Sequence, residues 1–212
     1  MTNRSTNNPK FQPREGYNTA KAQKEYLDHQ TQCPYNKDKR QSTSAGVDDN
    51  DVSFNEYDLI ASTNPNDPLY FWQLYSLLGE EPIVALVTDF YDRVYADTEN
   101  DWFKQAFTRL ASKDHHIDMQ AAYWLDVMGA GRMYPGGDRR VYFHHGGNAH
   151  QVMNREGAKV WMKHMRGALE AAKYKDARVK PCILDFLNDK MQKYADEFGW
   201  KHDEEDMILY QD

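Results

Sequence analysis

Residues 141–154 read VYFHHGGNAHQVMN and gather His144, His145 and His150 into one short stretch of a chain with eight histidines in all. An imidazole serves as a general base, a zinc ligand or an axial ligand to haem iron, and its neighbours separate these uses. Successive helical residues point about 100° apart, so His144 and His145 cannot both face one ligand. Val141 precedes His145 by one helical turn and shares its face, with His144 standing beside it. Gly146 and Gly147 are expected to end this short helix and to leave His150 in the loop beyond. Zinc would require further ligands at set spacing, yet the chain has neither an H-E-x-x-H nor a paired-cysteine pattern. One inward histidine facing hydroxyl and N–H donors across an apolar pocket suits haem iron better.

Such donors occur where helical apolar faces break their own rule. Tyr91 follows Phe90 near the inward edge of a helix and carries a hydroxyl that needs a partner if buried. His116 and Gln120 stand one turn apart on a second helix, with Tyr123 and Trp124 one turn further on. Trp161 falls in the apolar stripe of a third helix and brings an indole N–H. Each alone is an ordinary amphipathic residue with its polar tip at the rim. Together they place four donors from three helices around one interior space.

The elements that must position them are helical. Pro82 fits a first helical turn, and Ile83, Leu86, Val87, Phe90 and Val94 follow at helical spacing. Ile117, Ala121, Trp124 and Met128 mark a second helix stopped by GAG. Asn154 is a good N-cap for a third, which carries Ala158, Trp161, Met165 and Leu169. A fourth begins near Pro181 and runs through Ile183, Phe186, Leu187, Met191, Tyr194 and Phe198. No stretch alternates with period two, so the fold class expected is all-α.

The flanks differ in kind. Residues 1–65 are rich in Asn, Thr, Ser, Lys and Asp, a composition that cannot offset backbone entropy, and are expected to form a disordered extension. Tyr57, Leu59 and Ile60 are the candidates for contact with the domain. The ordered domain is expected over 66–199, with an acidic tail over 200–212. A net charge of −7 disfavours nucleic acid and anionic membrane as partners. No run approaches the roughly 20 apolar residues of a membrane span. The N-terminus lacks the apolar core of a secretory signal, so the expected compartment is the cytoplasm. Cys33 and Cys182 form no recognised pair motif.

The stretch DPLYFWQLYSLLGEEPIVALVTDFYDRVYADTENDWFKQAF resembles the opening of truncated haemoglobins, especially their plant-type group 2 members. FYDRVYAD matches the family element FYxRVxxD, and WFKQAF follows it. The resemblance puts Tyr91 at the distal tyrosine and Phe107 at the aromatic that packs on haem. In HIDMQAAYWLDVMGAGRMY, Gln120 keeps the family glutamine's nine-residue distance to its glycine turn, at Gly129 here. His116 falls one turn earlier, at a position facing the ligand. NREGAKVWMKHMRGAL is similar to the helix bearing the group 2 tryptophan, here Trp161.

The proximal segment departs from the family pattern. The usual GGPxxY and GHP elements are replaced by GAGRMYPGGDRR, and the histidine-to-tryptophan spacing is several residues longer. Val141 favours His145 as the iron ligand, with His144 the runner-up and His150 third. Tyr123, Trp124, Tyr134, Arg139 and Arg140 are the further candidates for contact with haem, the last three at its propionates.

The resemblance implies a two-over-two helical sandwich holding haem b and binding O2, CO or NO. It also implies distal hydrogen bonds suited to sensing or to O2-dependent chemistry such as NO oxidation, with a reductase partner. A haem-free interaction module, and a haem peroxidase or nitrite reductase, are the alternative readings. Oligomeric state is left open.

Overall fold

The computed structural model describes residues 59–201, apart from positions 132 and 136, and gives seven α-helices with no strand among the described residues. These are α1 (Leu74–Leu78), α2 (Glu80–Ala96), α3 (Asp101–Thr108), α4 (Lys113–Leu125), α5 (Gly137–Phe143), α6 (Arg155–Ala171) and α7 (Val179–Phe198). The all-α expectation holds. α2 packs against α4 on one side and α6 on the other, while α7 lies against α6. None of the helices among the described residues is long and apolar enough to cross a membrane.

α2 forms where the sequence places it. Gly79, at φ 68°, separates α2 from α1, and Glu80 and Glu81 put negative charge at the positive end of the new helix. Ile83, Val87, Phe90 and Val94 are completely buried, and Leu86 and Tyr91 nearly so. Burying a side chain such as Leu, Ile or Phe contributes roughly 1.5–3 kcal/mol, so this stripe is the spine of the core.

α4 is capped by Ser112, whose Oγ accepts from the His115 amide at 3.2 Å. α6 is capped by Asn154 as expected, its Oδ1 accepting from the Gly157 amide at 2.9 Å. A Cβ at Gly157 would stand 1.9 Å from the Val152 carbonyl oxygen, so only glycine lets the preceding turn close on α6. α7 stops at Gly199, which adopts the left-handed conformation.

The segment ahead of α1 is tied to the domain. The Arg178 guanidinium donates to the carbonyls of Ser62, Asn64 and Asp67, each at 2.9 Å, and is itself held by Asp176. The Ala61 amide donates to Ser76 Oγ at 2.9 Å, and Gln73 Nε2 reaches the Ile60 carbonyl at 3.3 Å. Leu59 is half-buried, whereas the Ile60 side chain is largely exposed. The rest of the expected N-terminal extension, Tyr57 and Cys33 included, lies outside the described residues, as does most of the acidic tail.

The histidine stretch differs from its expected form. Gly146 and Gly147 do not end the helix. α5 continues as a widened helical turn over His144–Asn148, closed by a bond from the Ala149 amide to the His144 carbonyl at 2.9 Å. His150 then begins a single 3-10 turn over His150–Val152 instead of standing in open loop. Glycine lowers helix propensity, but five-residue hydrogen bonding tolerates it where the following chain supplies the closing amide.

Candidate functional site

Three helices bring the expected donors together. Tyr91, on the inward face of α2, donates from its hydroxyl to Gln120 Oε1 on α4 at 2.8 Å. The Tyr91 ring stacks on His116 at 5.7 Å and meets Phe107 edge-on at 5.8 Å. Phe107 also stands edge-on to His116 at 5.5 Å, so α2, α3 and α4 share one aromatic corner. Trp161 of α6 joins through Phe90, with ring centroids 4.9 Å apart, and Phe90 in turn meets Tyr91 at 5.0 Å. Phe90 was read from the sequence only as a core residue, yet it is the spacer between the tryptophan and the tyrosine.

Burial, reinforced by the nearby Tyr95 and Tyr134, holds the Tyr91 phenol far above its ordinary value, so it is a neutral donor. His116 is nine-tenths buried, and burial lowers its pKa more than its bond to Phe107 raises it. Its Nε2 donates to the Phe107 carbonyl at 3.0 Å. His116, expected at a position facing the ligand, is thereby a tie between α4 and the end of α3.

Two candidates sit elsewhere. Trp124 is buried edge-on to Phe71 at 6.3 Å, and Phe71 stacks on Phe186 of α7, so it belongs to the core behind the wall. Tyr123 points the other way, against Tyr134 at 5.6 Å. Arg140 lies 5.4 Å over the Tyr134 ring and donates weakly to the Pro135 carbonyl at 3.4 Å. Arg139 is on α5, and its side chain lies outside the described residues.

The two histidines diverge as helical geometry requires. The His145 ring packs edge-on to Tyr194 of α7 at 4.8 Å. Its pKa is pushed down to about 4 by burial, and further by His144 and Lys190. His144 is also lowered by burial, and then by the charges of His116 and Arg140. Both are neutral near pH 7, the form an axial ligand requires. His150 is exposed and near Phe198, 6.1 Å away.

Two buried carboxylates near the candidate site were not singled out in the sequence. Asp97, at the α2–α3 turn, accepts from His164 Nε2 at 2.8 Å, and both side chains are less than a tenth exposed. Asp97 also accepts from the amides of Glu99 and Asn100, at 2.8 and 3.0 Å. The signal was a histidine in the apolar stripe of α6, three residues after Trp161. Asp126, just past α4, accepts from the Met133 and Tyr134 amides and is 2% exposed. Its signal was an acid inside YWLDVMG.

A helical sandwich that packs these rings together has the form of a globin. The family model for bacterial-like globins matches residues 73–193, and the chain belongs to that family. Over 100 residues it is 30% identical to two-on-two hemoglobin-3 of Arabidopsis thaliana. That stretch is 46% of this chain and 54% of the plant protein, so the match spans about half of its relative's length.

The fold family implies haem, and the residues present fit it. Gln120 Nε2 is buried with no hydrogen-bond partner, although its Oε1 is engaged by Tyr91. A buried N–H left unpaired costs about 1–3 kcal/mol, which a ligand that accepts from it would recover. Neutral imidazoles in the widened turn that continues α5 complete the donor set. Among the described residues, no group of three or more His, Cys, Asp or Glu side chains is placed to hold a bare metal ion.

Proposed function

We propose that this globin carries haem b with His145 as the axial ligand and binds O2, CO or NO on the side lined by Tyr91, Gln120 and Trp161. Haem supplies an open coordination position for a diatomic ligand when its iron is reduced. The protein's contribution is the choice and tightness of that ligand.

The unpartnered Gln120 amide carries this reading. Tyr91 and Gln120 form one unit in which the tyrosine donates to the amide oxygen and the amide N–H is left to face a ligand. Rotating the amide by half a turn would make it donate to Tyr91 and free the phenol hydrogen instead. Either arrangement offers one oriented donor, worth roughly 1 kcal/mol to a ligand that accepts it. Trp161 adds a second N–H from α6. Such donors would favour O2 over CO, because O2 takes on negative charge when held at reduced haem and CO does not. Slow release suits sensing, or oxidation of NO with electrons from a reductase, better than bulk transport.

His145 is favoured as the ligand because Val141 shares its face and Tyr194 fixes its ring at 4.8 Å. A second reading has His144 as the ligand: it stands one helical turn after Arg140, whose guanidinium lies 5.4 Å over the Tyr134 ring.

The test is an absorbance scan of the purified protein as isolated, reduced, and reduced under CO, repeated for His145→Ala and His144→Ala. A Soret band that shifts with CO, lost in the first variant and kept in the second, is the expected result. The reverse pattern assigns His144, and no band after haem addition rejects the haem reading. Mixing the reduced, air-equilibrated protein with NO then tests the chemistry, with rapid nitrate formation expected.

A further inference from the structure

The chain must reverse between Leu125, at the end of the distal wall, and Gly137, where the helix bearing the histidine pair begins. The start of the reversal packs against residues 71–78, and a Cβ at Gly129 would stand 2.1 Å from the Trp72 carbonyl oxygen. Residues 126–130 form a widened turn that Gly129 breaks with φ 99°, and Gly131 follows at φ 97°. Two glycines in left-handed backbone give a turn with many accessible alternatives.

Packing on Trp72 restricts the first half of the turn, and Asp126 ties down the second. Its carboxylate is almost fully buried, and both oxygens are used: Oδ1 accepts from the Met133 amide, and Oδ2 from the Tyr134 amide at 3.0 Å. A buried carboxylate persists only where donors replace its water, and two consecutive backbone amides do so here. The fixed Tyr134 then presents its ring to Tyr123 of α4 at 5.6 Å and to the Arg140 guanidinium of α5 at 5.4 Å. Arg140 stands one helical turn before His144 and shares its face.

We propose that Asp126 is a positioning residue for the iron-ligating histidine: through Tyr134 and Arg140 it sets how the His144–His145 helix faces the distal wall. The inference rests on the haem reading above. Asparagine is the informative replacement, because its single oxygen can accept one amide while its NH2 group confronts the other.

The test uses the full chain loaded with haem, comparing Asp126→Asn with Leu169→Ala, a buried α6 variant far from the turn that serves as a control for lost stability. The readouts are the iron–histidine stretching band of the reduced protein, the rate of haem release, and amide exchange at Met133 and Tyr134. Asp126→Asn is expected to shift the band, release haem at least tenfold faster than the control, and speed exchange at both amides. The control is expected to leave the band in place. A band unchanged in Asp126→Asn, with release no faster than the control, overturns the proposal. If Asp126→Asn does not fold, Tyr134→Leu keeps the amide bonds and removes only the ring contact. It is expected to shift the band in the same direction by less, and an unmoved band overturns the proposal. A wild-type chain that takes up no haem overturns the haem reading and this inference together, whereas a normal wild type with a silent Asp126→Asn overturns this inference alone.

Discussion

The distal wall and the proximal segment solve the same problem, holding side chains at an interior space, by different means. The wall places Tyr91, His116, Gln120 and Trp161 on helices of 13 residues or more and locks them to one another. The tyrosine bonds the glutamine, the histidine bonds the Phe107 carbonyl, and Phe90 spaces the tryptophan. The histidine pair sits instead where a seven-residue helix runs into a widened turn, behind a reversal held by a buried carboxylate and by the packing of Gly129 on Trp72. Rigid elements make a wall whose geometry survives single changes. A short helix on a glycine-rich turn depends on few contacts, and each of them matters more.

The comparison breaks most directly at the histidine proposed to hold haem. His145→Ala should lower haem affinity by more than the roughly 10–100-fold that loss of an outer-shell partner costs a metal site, read by transfer of haem to an acceptor protein. Gly129→Ala comes next. Its Cβ would stand 2.1 Å from the Trp72 carbonyl oxygen at φ 99°, so a loss of about 3 kcal/mol is expected in urea unfolding of the haem-free chain. A loss under 1 kcal/mol would mean the turn is softer than drawn here.

Tyr91→Phe tests the wall. It removes one donor and leaves Gln120 Oε1 buried, so roughly 1–3 kcal/mol of ligand stabilisation should go. Stopped-flow measurement should then show O2 release about 5- to 150-fold faster, and no change would leave the donor role with Gln120 Nε2 and Trp161.

The Asp97–His164 pair gives the wall an acid sensitivity. Burial works to raise the Asp97 carboxyl, but its bonds to Asn100, Glu99 and His164 together hold it well below its ordinary 3.8. Burial likewise lowers His164 below its ordinary 6.5, outweighing the opposing pull of Asp97. Both groups therefore contribute stability that is present above those ordinary values and is lost as pH falls through their folded ones. Thermal midpoints should decline below about pH 6.5, and His164→Gln should flatten the first part of that decline. The smallest effect belongs to the exposed Lys163–Glu99 pair, 3.0 Å apart, where Glu99→Gln should leave the thermal midpoint unchanged within error.

Much of the wall was legible in the sequence because helical period and chemistry coincide there. Tyr91 and Gln120 stand out as polar residues next to buried apolar positions, and the family motifs around them gave their partners. Asn154 was legible as a cap because its local geometry needs nothing from the rest of the chain. Trp124 shows the limit. Periodicity put it near Gln120, but the 100° between neighbouring residues turns it toward Phe71 and turns Tyr123 toward Tyr134.

What the sequence by itself determined is therefore the helical class, the faces that form the core, and which polar residues lie on the wall. Each follows from periods of three to four residues and from caps. Tertiary structure alone decided how His116 spends its Nε2, that His164 finds Asp97, and that Asp126 holds Met133 and Tyr134. It also decided that the helix runs on through Gly146 and Gly147, and that His144 and His145 part toward different neighbours. These outcomes depend on groups 5 to 67 residues away meeting in space, closing the bonds that local propensity leaves open.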